Sequence, residues 1–138
     1  DQIRKILNRE SGLLGISGVS GDMRDLQEAS ANGNDRARLA IDAYCYSVRK
    51  EIGAMAAALD GIDALAFTGG IGERSVDVRA RVCERLGYLG IDIDPARNTD
   101  GPPEREVSTA SSQAKVFVVT ANEEAIVVRS VTEYLATH

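Results

Sequence analysis

The spacing of apolar positions divides the chain into elements. Ile3, Ile6 and Leu7 share one face of an opening helix over 1–9, closed by Ser11-Gly12. Glycine then falls at every third position from Gly12 to Gly21. A helix interior tolerates that density poorly, so 11–21 is expected to be an irregular loop with exposed backbone. Asp22-Met23-Arg24-Asp25 opens a short helix through Ala31, with the Asp22 carboxylate placed to cap free N–H groups. Arg24 is a cation in a first helical turn, where it opposes the helix dipole; an anionic or aromatic ligand facing it would explain it. Asn32-Gly33-Asn34 breaks the chain, and Asn34 caps a long helix to about Leu59. Along it, Ile41, Cys45, Val48, Ile52, Met55 and Leu59 step by three or four and make a continuous apolar stripe. Ala54, Ala56, Ala57 and Ala58 point to close packing against a neighbour, and Tyr44 and Tyr46 read as packing residues.

The second half changes period. Ile62 to Phe67 is a short apolar run bounded by glycine, the pattern of a buried strand. Val78, Val82 and Leu86 then recur every four residues on a helix over 74–86. Gly87 to Ile93 alternates like a half-buried strand, and 94–106, with Pro95, Pro102 and Pro103, reads as a surface loop. Glu106-Val107-Ser108 pairs back as a hairpin strand, and Lys115 to Val119 is a strongly apolar strand. Thr120-Ala121-Asn122-Glu123 ends it and begins a last helix over about 122–136, with Ile126, Val127, Val131 and Leu135 on its apolar side. This order predicts an α/β fold: a mixed sheet, partly parallel, flanked by helices.

Composition narrows the class. A chain of 138 residues with 43% hydrophobic and 27% charged residues is one ordinary globular domain. The net charge of −5 and the absence of a basic cluster argue against a broad nucleic-acid or anionic-membrane surface. No apolar run approaches the roughly 20 residues that span a bilayer, and no signal peptide is visible. The chain starts at Asp1 with a helix already under way, so it is expected to be a piece of a longer protein. Cys45 and Cys83 lie inside helical patterns without a Cys-x-x-Cys spacing, as buried reduced thiols of a cytoplasmic protein do. His138 is the only histidine, which leaves no Ser-His-Asp triad or histidine-based metal cluster within the chain.

The chemistry concentrates in Phe67-Thr68-Gly69-Gly70-Ile71-Gly72-Glu73, where a strand gives way to a helix. Glycine permits positive φ and lets a ligand approach the backbone. A helix starting there directs free N–H groups and partial positive charge at an anion. The stretch therefore reads either as a phosphate or nucleotide cradle or as a tight turn. A P-loop is excluded, because no glycine is followed by lysine and a hydroxyl residue. The dinucleotide fingerprint is half met: Gly70 and Gly72 fit, Ser75 stands at the third glycine, and Asp92 suits the ribose-binding acid.

Three stretches together resemble the acetate kinase family, in order and spacing: Ser11-Gly-Leu-Leu-Gly-Ile-Ser-Gly-Val-Ser-Gly-Asp-Met-Arg-Asp-Leu26, Phe67-Thr-Gly-Gly-Ile-Gly-Glu-Arg-Ser75 and Thr120-Ala-Asn-Glu-Glu124. The resemblance covers essentially the whole chain and about the C-terminal third of that family's length. It implies an enzyme of the acetate and sugar kinase, actin and heat-shock ATPase superfamily, with two ribonuclease-H-like domains closing on a nucleotide. Residues 1–138 would be the C-terminal nucleotide-binding portion, with the final helix packing on the other domain. The implied reaction is reversible phosphoryl transfer from ATP to acetate, giving acetyl phosphate and ADP with Mg²⁺. By motif, Asp22, Met23 and Arg24 would contact the nucleotide, as would Gly70, Ile71, Gly72, Glu73 and Arg74. The family usually carries Asn where Arg74 stands. Glu123 would be the Mg²⁺ ligand, although Thr120-x-x-Glu123 is also a capping box. The family's catalytic Asp, Arg and His lie upstream of this stretch, so no catalytic residue is assigned and the chain alone is expected to be inactive. A cytoplasmic homodimer is implied, binding ATP or ADP and no nucleic acid or membrane. The alternatives are a propionate or butyrate kinase, a non-catalytic nucleotide-binding or dimerisation module and, more remotely, a dinucleotide-dependent oxidoreductase.

Overall fold

The computed structural model describes residues 1–137, and at 123, 125–127, 129, 130 and 137 the backbone alone. Its longest element is α4, Asp35–Ala58, started by Asn34, whose side chain accepts from the Ala37 N–H at 2.9 Å. Ala37, Ala40, Ile41 and Cys45 form its buried side. Against α4 pack α2 (Gly12–Ser17), α3 (Met23–Ala31) and α6 (Val76–Cys83). The stripe read along α4 is covered from Ile41 through Ile52 and bare at its end: Met55 and Leu59 are exposed, at 58% and 73%. The opening helix is also bare. It forms as α1 (Gln2–Lys5) and a π-helical turn (Ile6–Glu10), and Ile3, Ile6 and Leu7 are all exposed.

The sheet has three strands in the order β1-β3-β2. β1 (Ala64–Phe67) runs parallel to β3 (Lys115–Val118), with Ala64 opposite Lys115 and Phe67 opposite Val118. β2 (Arg105–Glu106) pairs antiparallel with β3. The predicted mixed sheet flanked by helices is thus present. Val116 and Val118 of the central strand are buried among Val78, Val82, Leu86, Ile91 and Val107. β1 was expected to be buried, but Ala64 and Ala66 are exposed, because an edge strand is covered here on the Leu65 and Phe67 side alone.

Four local expectations are corrected. The glycine-rich stretch is not all loop, since α2 forms within it. Leu13 and Ile16 pack on the core, and Gly18, at φ 67°, ends the helix in the left-handed region; burial outweighs the glycine penalty. The helix foreseen over 74–86 breaks at Ser75, so the glycines form a helix of their own, α5 (Gly69–Arg74). Gly87 to Ile93 is a 3₁₀ turn (Gly87–Leu89) followed by single bridges from Ile91 to Ala114 and Ile93 to Ser108. The proline-rich loop contains α7 (Pro95–Thr99), capped by Asp94 through the Ala96 and Arg97 N–H groups. The final helix, α8, runs Glu123–Thr137. Among the described residues no helix is long and apolar enough to cross a membrane.

Both cysteines are free and buried. Burial pushes the Cys83 thiol up to about 12 and raises that of Cys45, so both are neutral thiols at physiological pH.

Leu26 of α3 is fully buried and anchors the helix that begins with Asp22, Met23 and Arg24. Leu26→Ala should lower stability by about 2–5 kcal/mol through cavity formation. Leu39→Ala, at an exposed position of α4, should stay within about 0.5 kcal/mol of the parent. Urea denaturation of the two variants measures both.

Candidate functional site

The first side of the site is the start of α3. Ser17 Oγ accepts the Val19 N–H at 3.0 Å and Arg36 holds the Ile16 carbonyl at 2.8 Å, which fixes the turn leading into it. The Asp22 N–H donates to Ser20 Oγ, which itself donates to Asp25. Asp22 caps α3 as expected, accepting the Arg24 N–H at 2.8 Å. Its carboxylate also accepts two bonds from one edge of the Arg24 guanidinium, from Nε at 3.1 Å and Nη2 at 2.6 Å. This fork-on-fork pairing holds Asp22 down to about 2 and raises Arg24. The unfavourably placed cation therefore has an anion beside it, two residues back, and its side chain remains 78% exposed.

The second side is α5. Gly69, at φ 71°, turns β1 into the helix, a conformation that favours glycine. A Cβ at Gly72 would sit 3.2 Å from the Phe67 carbonyl carbon, so this glycine lets the helix lie on the end of the strand. A Cβ at Gly70 would meet nothing within 4 Å. Glu73 turns back on its own helix: Oε1 accepts from the Gly69 N–H at 2.9 Å and from the Ala121 N–H at 2.8 Å. The first N–H of α5, expected to be free for an anion, is thus occupied, and the glycine turn is tied to the segment after β3.

The two sides meet through one side-chain bridge. Gln27 Nε2 donates to Ser75 Oγ at 2.8 Å, across 48 residues of sequence, and the same oxygen caps α6 by accepting the Val78 N–H at 3.3 Å. Above this bridge lies a cleft of about 320 Å³. Gly21, Asp22, Met23, Arg24 and Gln27 line it from α3 and the turn before it; Gly70, Ile71, Arg74 and Ser75 line it from α5 and the residue after it. The structure therefore brings together six of the residues singled out by sequence. Gly72 and Glu73 stand behind the lining. Arg74 is exposed at the mouth and pairs with none of the described residues.

The side chain of Glu123 lies outside the described residues. Its backbone opens α8, so Thr120 stands three residues before the first helical position and is not the N-cap of a Thr-x-x-Glu box. Among the described residues no group of three or more His, Cys, Asp or Glu side chains is placed to hold a metal. Asp92 accepts from Thr109 Oγ1 at 3.0 Å and faces a separate cleft with Tyr88 and Gln113. It cannot serve as the ribose-binding acid of a dinucleotide held at Gly70, and that reading fails.

Gln27 and Arg79 were missed by sequence reasoning. Arg79 is fully buried and donates to the carbonyls of Gly72 and Glu73. Its position next to Val78 on an amphipathic helix gives no hint of this.

A sequence model of the acetokinase family matches residues 1–129. This chain belongs to the acetokinase family. It is 46% identical over 128 residues to the acetate kinase of Moorella thermoacetica, covering 93% of this chain and 32% of that protein. To an acetate kinase of Clostridium botulinum it is 46% identical over 136 residues, covering 99% and 34%. Among solved structures it superimposes on Porphyromonas gingivalis acetate kinase with a TM-score of 0.88 at 40% identity, over 96% of this chain and 34% of that one. A propionate kinase from Francisella tularensis gives 0.81 at 36% identity, over 89% and 31%. The chain spans about a third of the length of these acetokinase relatives. The resemblance carried by the three motifs is borne out, and so is the α/β fold class, a mixed sheet flanked by helices.

The geometry separates the two glycines. Gly70→Ala, with open space at the Cβ, should be neutral or stabilising by up to about 1 kcal/mol. Gly72→Ala presses on the Phe67 backbone and should cost about 1–3 kcal/mol; thermal unfolding distinguishes them. The Asp22 carboxylate gives a pH signature as well. Its folded pKa lies below its unfolded value, so its stabilisation is complete above about pH 4 and is lost as pH falls toward 2. Asp22→Asn should flatten the stability profile in that window and leave its shape between pH 5 and 8 unchanged.

Proposed function

We propose that this chain forms the nucleotide-binding part of an enzyme that moves a phosphoryl group reversibly between ATP and acetate, giving acetyl phosphate and ADP. One observation carries the reading: two motifs far apart in sequence meet in a single cleft, in a chain of the acetokinase family. Met23 and Ile71 offer apolar surface suited to a purine. The Arg24 guanidinium is planar, exposed and charge-balanced by Asp22, which suits stacking on a base at little desolvation cost. Gly70 leaves the approach to the backbone open. Arg74, with no anionic partner among the described residues, is placed to meet the phosphates at the mouth.

Phosphoryl transfer asks a protein for positioning and charge stabilisation more than for covalent chemistry. On this reading the chain positions the nucleotide and does no more. The groups that act on acetate and on the transferred phosphoryl belong to the rest of a two-domain enzyme, a cytoplasmic homodimer against whose other domain α8 packs. Magnesium takes few protein carboxylates and completes its shell with phosphates and waters; bound here, it would neutralise phosphate charge. Glu123 is the carboxylate assigned to it. Its backbone stands two residues after Ala121, whose N–H is held by Glu73 of the glycine turn, so the assigned ligand and the nucleotide loop are tied to one another. A propionate kinase is the second reading, favoured by the 0.81 superposition on such an enzyme.

Calorimetric titration with ADP tests the proposal. Weak but saturable binding is expected, falling about fivefold to thirtyfold in Arg24→Ala if stacking contributes about 1–2 kcal/mol, with no acetyl phosphate formed by the chain alone. In the longer enzyme, Glu123→Gln should raise the Mg²⁺ concentration for half-maximal rate more than Glu124→Gln does. No ADP binding, or NADH binding tighter than ADP, would overturn the assignment.

A further inference from the structure

We propose that Arg79 is a positioning residue of the nucleotide cleft, holding α5 by its carbonyl end so that Gly70, Ile71 and Arg74 face Asp22 and Arg24. The inference rests on the nucleotide reading of the cleft and deepens it by assigning the residue that sets the cleft's second wall.

Arg79 has no exposed surface and, among the described residues, no carboxylate partner. Its guanidinium is met entirely by neutral acceptors. Nη1 donates to the Gly72 and Glu73 carbonyls, each at 2.8 Å. Nε donates to Asn98 Oδ1 at 2.7 Å and Nη2 to the Asn98 carbonyl at 2.8 Å. Asn98, itself buried, donates from Nδ2 to the Val76 carbonyl at 3.0 Å, and Arg105 adds a second bond to the Asn98 carbonyl at 2.9 Å. Arg79 and Asn98 together thus tie the end of α5, the first turn of α6 and the end of α7.

Burying a cation without an anion is unfavourable, and an apolar side chain would fill the same space more cheaply. What the arginine supplies is its geometry. The terminal carbonyls of a helix carry partial negative charge and lack intrahelical partners, so a cation placed there is favourable. The rigid fork of arginine reaches acceptors on both sides at once, which the point charge of lysine cannot do. α5 needs such a tie: it has six residues, none of them fully buried, too few to stand alone in water.

The test is ADP titration of the wild-type chain, Arg79→Lys and Asn98→Ala, with urea denaturation and amide exchange on each. Arg79→Lys keeps the charge and should weaken ADP binding about tenfold, the factor set by losing one charge-assisted hydrogen bond's worth of positioning. Amides of 72–75 should exchange faster in it while those of α4 do not. A purely structural role would lower the denaturation midpoint and leave the affinity of the folded molecules unchanged, and that result overturns the proposal. If Arg79→Lys does not fold, Asn98→Ala, which frees one end of the clamp, is read by the same criteria. If the wild type itself does not bind ADP, the nucleotide reading fails; the clamp is then upheld by faster exchange confined to 72–75 and refuted by unchanged exchange.

Discussion

Six residues without a fully buried side chain do not hold a helix in place, and the second wall of the cleft is such a helix. The position of α5 is set by what grips its ends. At the front, Gly69 takes the left-handed turn out of β1 and the Glu73 carboxylate closes over its N–H. On the strand side, the missing Cβ of Gly72 lets the helix rest on Phe67. At the back, the Arg79 guanidinium collects the last carbonyls. The glycines therefore serve two purposes that sequence alone merges into one: Gly69 and Gly72 shape the backbone, and Gly70 faces the cleft.

The opposite wall is stiff for a different reason. Asp22 is at once the cap of α3 and the counter-ion of Arg24, so a single carboxylate satisfies a helix end and fixes a guanidinium. A pair arranged in this way needs no large movement to present its planar face. Arg74 on the other wall keeps its charge available. Among the described residues the cleft then has one balanced pair and one cation without a paired anion, a distribution that suits a neutral aromatic ring joined to an anionic chain.

Much of this was legible in the residues. The Asp22 and Asn34 caps, the long helix, a partly parallel sheet and the buried cysteines follow from capping, element order and periodicity. What was not legible depends on long-range contacts. No local rule puts a helix among the glycines of 12–17; the burial of Leu13 and Ile16 does. The break at Ser75 lies ahead of Val78, Val82 and Leu86, so their period does not report it; there Ser75 caps α6 and also accepts from Gln27, 48 residues away. The Arg79 clamp is hidden likewise, since its acceptors are main-chain carbonyls and carry no sequence signature. Ala64 and Ala66 misled in the opposite direction: an apolar run reports the capacity to be buried, not the presence of a layer to bury it.

The central claim is that α3 and α5 form one nucleotide site, joined through Gln27 and Ser75. Amide hydrogen exchange with and without ADP tests it most directly. The account predicts slower exchange on adding ADP in both 21–27 and 69–75, with no change across 87–93, which lies by the separate cleft facing Asp92. Protection confined to one of the two walls, or centred on 87–93, would contradict it.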